Sequence, residues 1–278
     1  LRVAQAPPKR PTFDETFWWL GCGTGAPAEP SPATSRHFDV SGVVVMRNDQ
    51  DHVFIDAGPV GMAGRGGHGH NDCLAFEAVI AGTRIIIDPG SFVYSADWKS
   101  RNKFRGTAVH NTPFIDNVEI NKMPEERWLW YLENNAIPDI RRLEFGDRED
   151  VLTASHAGYS ELDNPVTPVR TIKLIKQSQC IEVSDQFEGT GKHQVQVTYT
   201  FAPDIHVLHQ AKGVWSIRSK DRTFLFQANN SDDWSSEIRD TEISPSYGVT
   251  KQTKSLIFLR TGHLKPLEIK VMPAETTH

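Results

Sequence analysis

The sequence predicts a large antiparallel β-sandwich, and three observations carry that prediction. Val195, Val197, Tyr199 and Phe201 alternate with Gln194, Gln196, Thr198 and Thr200. A period of two puts the apolar side chains on one face of a strand and the polar ones on the other. Short β-branched runs follow one another from residue 37 onward, separated by turn clusters such as Glu188-Gly189-Thr190-Gly191 and Asn229-Asn230-Ser231-Asp232. No long segment after residue 37 shows helical periodicity, and no repeat of fixed period occurs. Many short strands without intervening helices must cover one another face to face.

Residues 12–21 predict one short helix. Thr12 and Glu15 stand at capping-box spacing, Phe17, Trp18 and Leu20 supply apolar bulk, and Gly21 suits the stop. Residues 22–36 are rich in Pro, Gly, Ala and Ser and read as a linker. The chain therefore divides into residues 1–36, the tail of an upstream domain, and residues 37–278, the sandwich. Leu1 in place of Met, with no signal segment after it, reads as a processed or trimmed chain. Strands are expected from Val40 to Met46, His52 to Asp56, Thr83 to Asp88, Thr171 to Ile175 and Ile181 to Ser184. Others are expected from Val214 to Arg218, Thr223 to Gln227, Ser255 to Arg260 and Leu267 to Met272.

Composition narrows the function classes. Thirty basic against 35 acidic residues give a net charge of -5 and a pI near 6.1, which excludes the basic footprint of a general nucleic-acid binder. The longest apolar blocks, such as Val43-Val44-Val45-Met46, fall far short of the ~18 residues of a membrane helix. Cys22, Cys73 and Cys180 are far apart and form neither a disulfide framework nor a cysteine zinc site.

The most unusual stretch is Gly64-Arg65-Gly66-Gly67-His68-Gly69-His70-Asn71-Asp72. In an extended chain His68 and His70 point to the same side, which suits metal binding, or one metal ligand beside one proton-transfer group. Asp88 stands where Ile85-Ile86-Ile87 meets Pro89-Gly90, at a strand end, and His110 at the start of another expected strand. Antiparallel neighbours can bring these ends together around His70. Two imidazoles and a carboxylate are a suitable zinc donor set. The set His70, Asp72 and His110 instead mimics the facial triad of an iron oxygenase. Lys99, Arg101, Lys103 and Arg105 fall at every second position, so an extended chain would present four cations on one face to a polyanion. Phe92, Tyr94, Trp98 and Phe104 nearby could stack on sugar rings or belong to the core.

Taken together, Gly67-His68-Gly69-His70-Asn71-Asp72 with Phe76-Glu77, then Ile87-Asp88-Pro89-Gly90, then Phe104-Arg105-Gly106-Thr107-Ala108-Val109-His110-Asn111-Thr112 resemble the C-terminal domain of the heparinase II/III-like polysaccharide lyases. The resemblance is dense over residues 40–120. It implies a β-sandwich packed against an upstream α/α-toroid, an acidic uronate polysaccharide as partner, and a periplasmic or secreted location. It further implies zinc (Zn2+) held by His70, Asp88 and His110, with His68 as the catalytic residue facing the substrate. Arg105 and Asn111 are expected to bind the anionic sugar, and Asn71 is given no role. The toroid's Asn or His and its Tyr are not recognisable in this chain. A non-catalytic carbohydrate-binding module is the alternative that the missing half of the site keeps open.

Overall fold

A computed structural model describes residues 34–65, 68–229 and 231–274. The helix expected at 12–21 and most of the linker expected at 22–36 lie outside them. One compact unit runs from Ser35 to His278. It opens with five strands, β1 (Arg36–Phe38), β2 (Val43–Asn48), β3 (Asp51–Asp56), β4 (Phe76–Ile80) and β5 (Thr83–Ile86), which pair in chain order as an antiparallel meander. A single α-helix among the described residues, α1 (Trp98–Arg105), precedes the short strand β6 (Pro113–Ile115).

Next come β7 (Pro138–Phe145), β8 (Glu149–His156), β9 (Val166–Ile175), β10 (Cys180–Gly189) and β11 (Lys192–Thr200). They are followed by β12 (His206–Ala211), β13 (Val214–Arg218), β14 (Thr223–Ala228), β15 (Ser235–Ser246), β16 (Val249–His263) and β17 (Leu267–Pro273). The order β12-β13-β14-β17-β10-β9-β8-β7 makes an eight-stranded sheet, and β15-β16-β11-β6 a four-stranded one. All pairings are antiparallel.

Inward-facing residues of all three sheets merge into one core, as the period-two pattern requires. Ile55 and Phe76 come from the meander, Val183, Phe226 and Ile269 from the large sheet, and Val197, Tyr199 and Phe258 from the small one. An aromatic knot lies at its centre: Tyr199 and Phe226 have centroids 5.3 Å apart, and Trp215 and Phe258 5.5 Å. Each such fully buried side chain contributes roughly 1.5–3 kcal/mol of transfer free energy.

The two smaller sheets are stitched where β5 ends. Ile86 bridges Phe201, the Ile87 amide donates to Thr200 O (2.9 Å) and the Ala202 amide to Ile85 O (3.0 Å). Asp88 therefore leaves the fold at a seam between sheets, which fixes its backbone from two sides.

The cationic segment Lys99 to Arg105 is not the extended strip expected from its alternation. It is helix α1, capped by Asp97, whose carboxylate accepts the amides of Lys99 (3.0 Å) and Ser100 (3.3 Å). At helical spacing the four cations split into two pairs, i and i+4. Lys99 and Lys103 are exposed, whereas Arg101 and Arg105 are buried with Phe104. His110 likewise sits after a 3-10 turn (Thr107–Val109), three residues before β6, and not on a strand.

A candidate metal centre beside an exposed histidine

The centre is assembled from loops at one end of the meander. His70 and Asp72 lie between β3 and β4, Asp88 just beyond β5, and His110 after the 3-10 turn. Asp88 Oδ2 accepts from His110 Nδ1 at 2.7 Å, and Oδ1 accepts the Gly90 amide at 2.7 Å. The His70 and His110 rings lie 5.3 Å apart. Donor atoms of His70, Asp72 and His110 all fall within 4.8 Å of one another. Arg101 Nη1 donates to His70 Nε2 at 2.8 Å, and Ser91 Oγ lies 3.4 Å from the same nitrogen.

The electrostatics follow from crowding three carboxylates with two imidazoles. Burial holds His70 down at about 3, helped by the neighbouring His110, so His70 is neutral. Burial also opposes a charge on His110, but the Asp88 carboxylate outweighs it and lifts His110 to about 8. Burial raises Asp56 to about 7, with Asp72 adding repulsion, and Asp72 is raised by burial as well. Burial pushes Asp88 the same way, yet the attraction of His110 leaves it below the ordinary carboxylate range. His110 Nε2 is buried with no hydrogen-bond partner among the described residues. An unspent ring nitrogen beside excess negative charge fits a divalent cation.

Two side chains that sequence reasoning passed over hold these loops. Glu119 Oε2 accepts from Asn71 Nδ2, from the Thr107 amide and from Thr107 Oγ1, each at 2.7 Å. Asn71, to which no role was given, is fully buried and also donates to Asn121 O at 2.9 Å. Arg170 grips Asp185 through Nε (2.7 Å) and Nη2 (2.9 Å). Its Nη1 reaches Leu74 O at 2.9 Å and also Asn111 O, so one guanidinium ties the loop after Asp72 to the residue after His110. No motif marks Glu119 or Arg170; only the folded loops reveal them.

The expected sugar ligands Arg105 and Asn111 lie in the interior. Arg105 is 1% exposed, and its guanidinium donates to Leu129 O (3.1 Å), Tyr131 O (3.2 Å), Trp128 O (3.2 Å) and Asn102 Oδ1 (2.9 Å). Asn111 is also 1% exposed; it donates to Phe76 O (3.0 Å) and Ile87 O (2.8 Å) and accepts the Thr200 amide (2.8 Å). Both are spent on backbone and shape loops instead of meeting solvent.

His68, by contrast, is exposed, and its Nδ1 lies 2.9 Å from the Tyr94 hydroxyl. When Nδ1–H donates to that oxygen, Nε2 keeps its lone pair and can act as a base. Of the other aromatics singled out from sequence, Phe104 is 3% exposed and packs on Phe92 at 5.3 Å, as part of the interior.

Comparison with known proteins follows the same lines. Residues 30–272 match the family described as heparinase II/III-like, C-terminal. A heparin-sulfate lyase of Pedobacter heparinus is 27% identical over 199 residues, covering 69% of this chain and 27% of that protein. A heparin-sulfate lyase of Bacteroides stercoris is 25% identical over 200 residues, covering 69% and 25%. The crystal structure of heparan sulfate lyase HepC from Pedobacter heparinus superposes with a TM-score of 0.74 at 20% identity, over 95% of this chain and 39% of that one. The chain thus spans about a quarter of the length of the curated relatives it matches. It belongs to the heparinase II/III-like C-terminal family.

Proposed function

We propose that this chain is the metal-bearing domain of a polysaccharide lyase that cleaves uronate-containing polysaccharide by β-elimination. The observation that carries the reading is the pairing of an exposed histidine, His68, with a buried donor cluster two residues further on. In the reaction a base removes the C5 proton of the uronate, a C4–C5 double bond forms, and the C4–oxygen bond breaks as the leaving oxygen gains a proton. His68 Nε2 supplies proton transfer on one wall, with Tyr94 setting its tautomer and orientation. Charge growing on the uronate carboxylate needs stabilisation, and the remainder of the longer protein, an upstream α/α-toroid, would supply those groups.

Zinc would be held by His70, Asp88 and His110, with Asp72 as a fourth donor. Such a closed set of protein donors is typical of structural zinc, and the bound ion would supply positive charge that fixes the loop aiming His68. Family membership and the separate placing of His68 support this reading over an iron oxygenase, although the donors within 4.8 Å are His70, Asp72 and His110. A polysaccharide substrate places the protein in the periplasm or outside the cell. The test uses the full-length protein with heparan-type chains, alginate and hyaluronan. Unsaturated ends, seen as new ultraviolet absorbance, support the proposal; their absence with every polymer, while binding persists, would leave a carbohydrate-binding module.

A further inference from the structure

Three aromatic rings from three separated segments line up beside His68. Tyr94, beyond β5, stacks on Trp130 with centroids 5.5 Å apart and planes 16° apart, and on Tyr247 at 6.0 Å and 20°. The His68 ring stands edge-on to Tyr94 at 5.3 Å and 88°. These rings are not core: Trp130 is 50% and Tyr247 64% exposed. A contiguous exposed aromatic surface of this kind marks a place where something binds.

Each segment is anchored independently of its ring. The Trp130 loop is held through the carbonyls of Trp128, Leu129 and Tyr131 by Arg105. The Leu132 amide donates to Gly64 O at 2.9 Å. Gly64 has φ +85°, and a Cβ there would lie 1.8 Å from Leu132 O, so only glycine allows the approach. Tyr247 sits in the turn of the β15–β16 hairpin, which is pinned to the Asp88 loop by Gly248 N to Phe92 O (2.8 Å) and Ser244 N to Pro89 O (2.7 Å). Gly90, at φ +78°, makes room for that contact, since a Cβ would meet Ser244 O at 2.2 Å. Arg101 Cζ lies 4.8 Å from the Tyr94 ring centre. The rings are therefore preorganised, and little ordering entropy is lost when a ligand arrives.

We infer that the exposed faces of Trp130 and Tyr247, held in place by stacking on Tyr94, form a sugar-stacking subsite that takes pyranose rings of the polysaccharide adjoining the bond presented to His68. The inference rests on the lyase reading for the chemistry at His68. The occupant follows from continuity and shape. A pyranose offers C–H groups on its faces and hydroxyls around its rim, which matches Trp and Tyr, apolar in body and polar at one edge. The hydrogen bond between His68 and Tyr94 makes the stack and the exposed histidine one surface.

The test measures KM for size-defined uronate oligosaccharides with the full-length protein, and their affinity in its His68→Ala form by calorimetry. Trp130→Ala and Tyr247→Ala should each weaken binding roughly threefold to tenfold, whereas Trp130→Phe should recover most of the loss. Phe145→Ala, an exposed ring on β7, serves as the control. Alanine variants that bind like the parent would overturn the subsite, the rings then being covered by the rest of the protein or idle. So would a Trp130→Phe protein as weak as Trp130→Ala, which would assign the effect to the loop, and so would failure of the parent to bind any of the oligosaccharides. A parent that binds through these rings without making unsaturated ends would remove the lyase reading and keep the subsite. One that makes them with KM indifferent to both rings would do the reverse.

Discussion

Asp88 Oδ2 lies 2.7 Å from His110 Nδ1, and the opposite nitrogen of that ring, Nε2, is buried and unpartnered among the described residues. Without a cation the two form an ion pair. A cation held there would also offset the charge of Asp72 and Asp56 close by.

Elemental analysis of purified protein should therefore find about one zinc per chain, as expected for a single closed set of donors. His70→Ala and His110→Ala should lose it, and Asp72→Ala and Asp88→Ala should each weaken it by roughly tenfold or more. Full zinc retention in Asp88→Ala would leave Asp72 as the carboxylate of the set.

Tyr94→Phe keeps the ring of the stack and removes only the hydroxyl bonded to His68. A lost hydrogen bond of about 1.5 kcal/mol predicts a fall of roughly tenfold in kcat, with KM little changed because the stacking surface remains. A rise in KM with kcat unchanged would assign Tyr94 to sugar binding alone.

Arg170→Met should destabilise the fold by roughly 3–5 kcal/mol in denaturant titrations, since it leaves the buried Asp185 charge unpaired. Adding Asp185→Leu removes that charge but not the loss of the grip on Leu74 O and Asn111 O. The double variant should thus regain stability while still binding zinc more weakly; normal zinc affinity would deny Arg170 its part in setting the loops.

Stability should fall on acidification through His156. Burial, with the nearby Arg170 charge, holds this group at about 3 against an ordinary 6.5, and its Nδ1 accepts the Gly158 amide at 3.0 Å. The unfolded chain then binds the extra proton below pH 6.5, so this stabilisation is present above 6.5 and drains away as pH drops toward 3. His193 works in the opposite sense. Burial opposes its charge, but the hydrogen bonds to Asp116 (2.6 Å) and Thr190 O outweigh that and raise it, so its contribution is present below 6.5 and lost as pH rises through its raised value. Denaturation midpoints at pH 7 and pH 5 should converge in His156→Gln; an unchanged gap would exclude His156 as the source.

What could be read from sequence follows the physics of burial. β11, β13 and β14 were legible because an interior strand alternates apolar and polar residues. The strands β1, β7, β12 and β15 were not; each is a sheet edge, mostly exposed, and carries no apolar stripe to recognise. The interior strands β4 and β8 went unread as well, although both are buried. α1 was misread because Lys and Arg at every second position fit an extended chain as well as two faces of a helix. In the site, the histidines and Asp88 stood out as motifs. Trp130, Tyr247, Glu119 and Arg170 did not, because their proximity comes from loop packing over long sequence distances, which leaves no local pattern.

Arg105 holds the 128–131 loop by its carbonyls alone, so the grip is blind to the side chains the loop displays. The ring at position 130 can then be exchanged for another residue without breaking the bonds that Arg105 makes to the loop. The surface beside His68 is thereby free to vary, by drift or by design, on a framework that stays put.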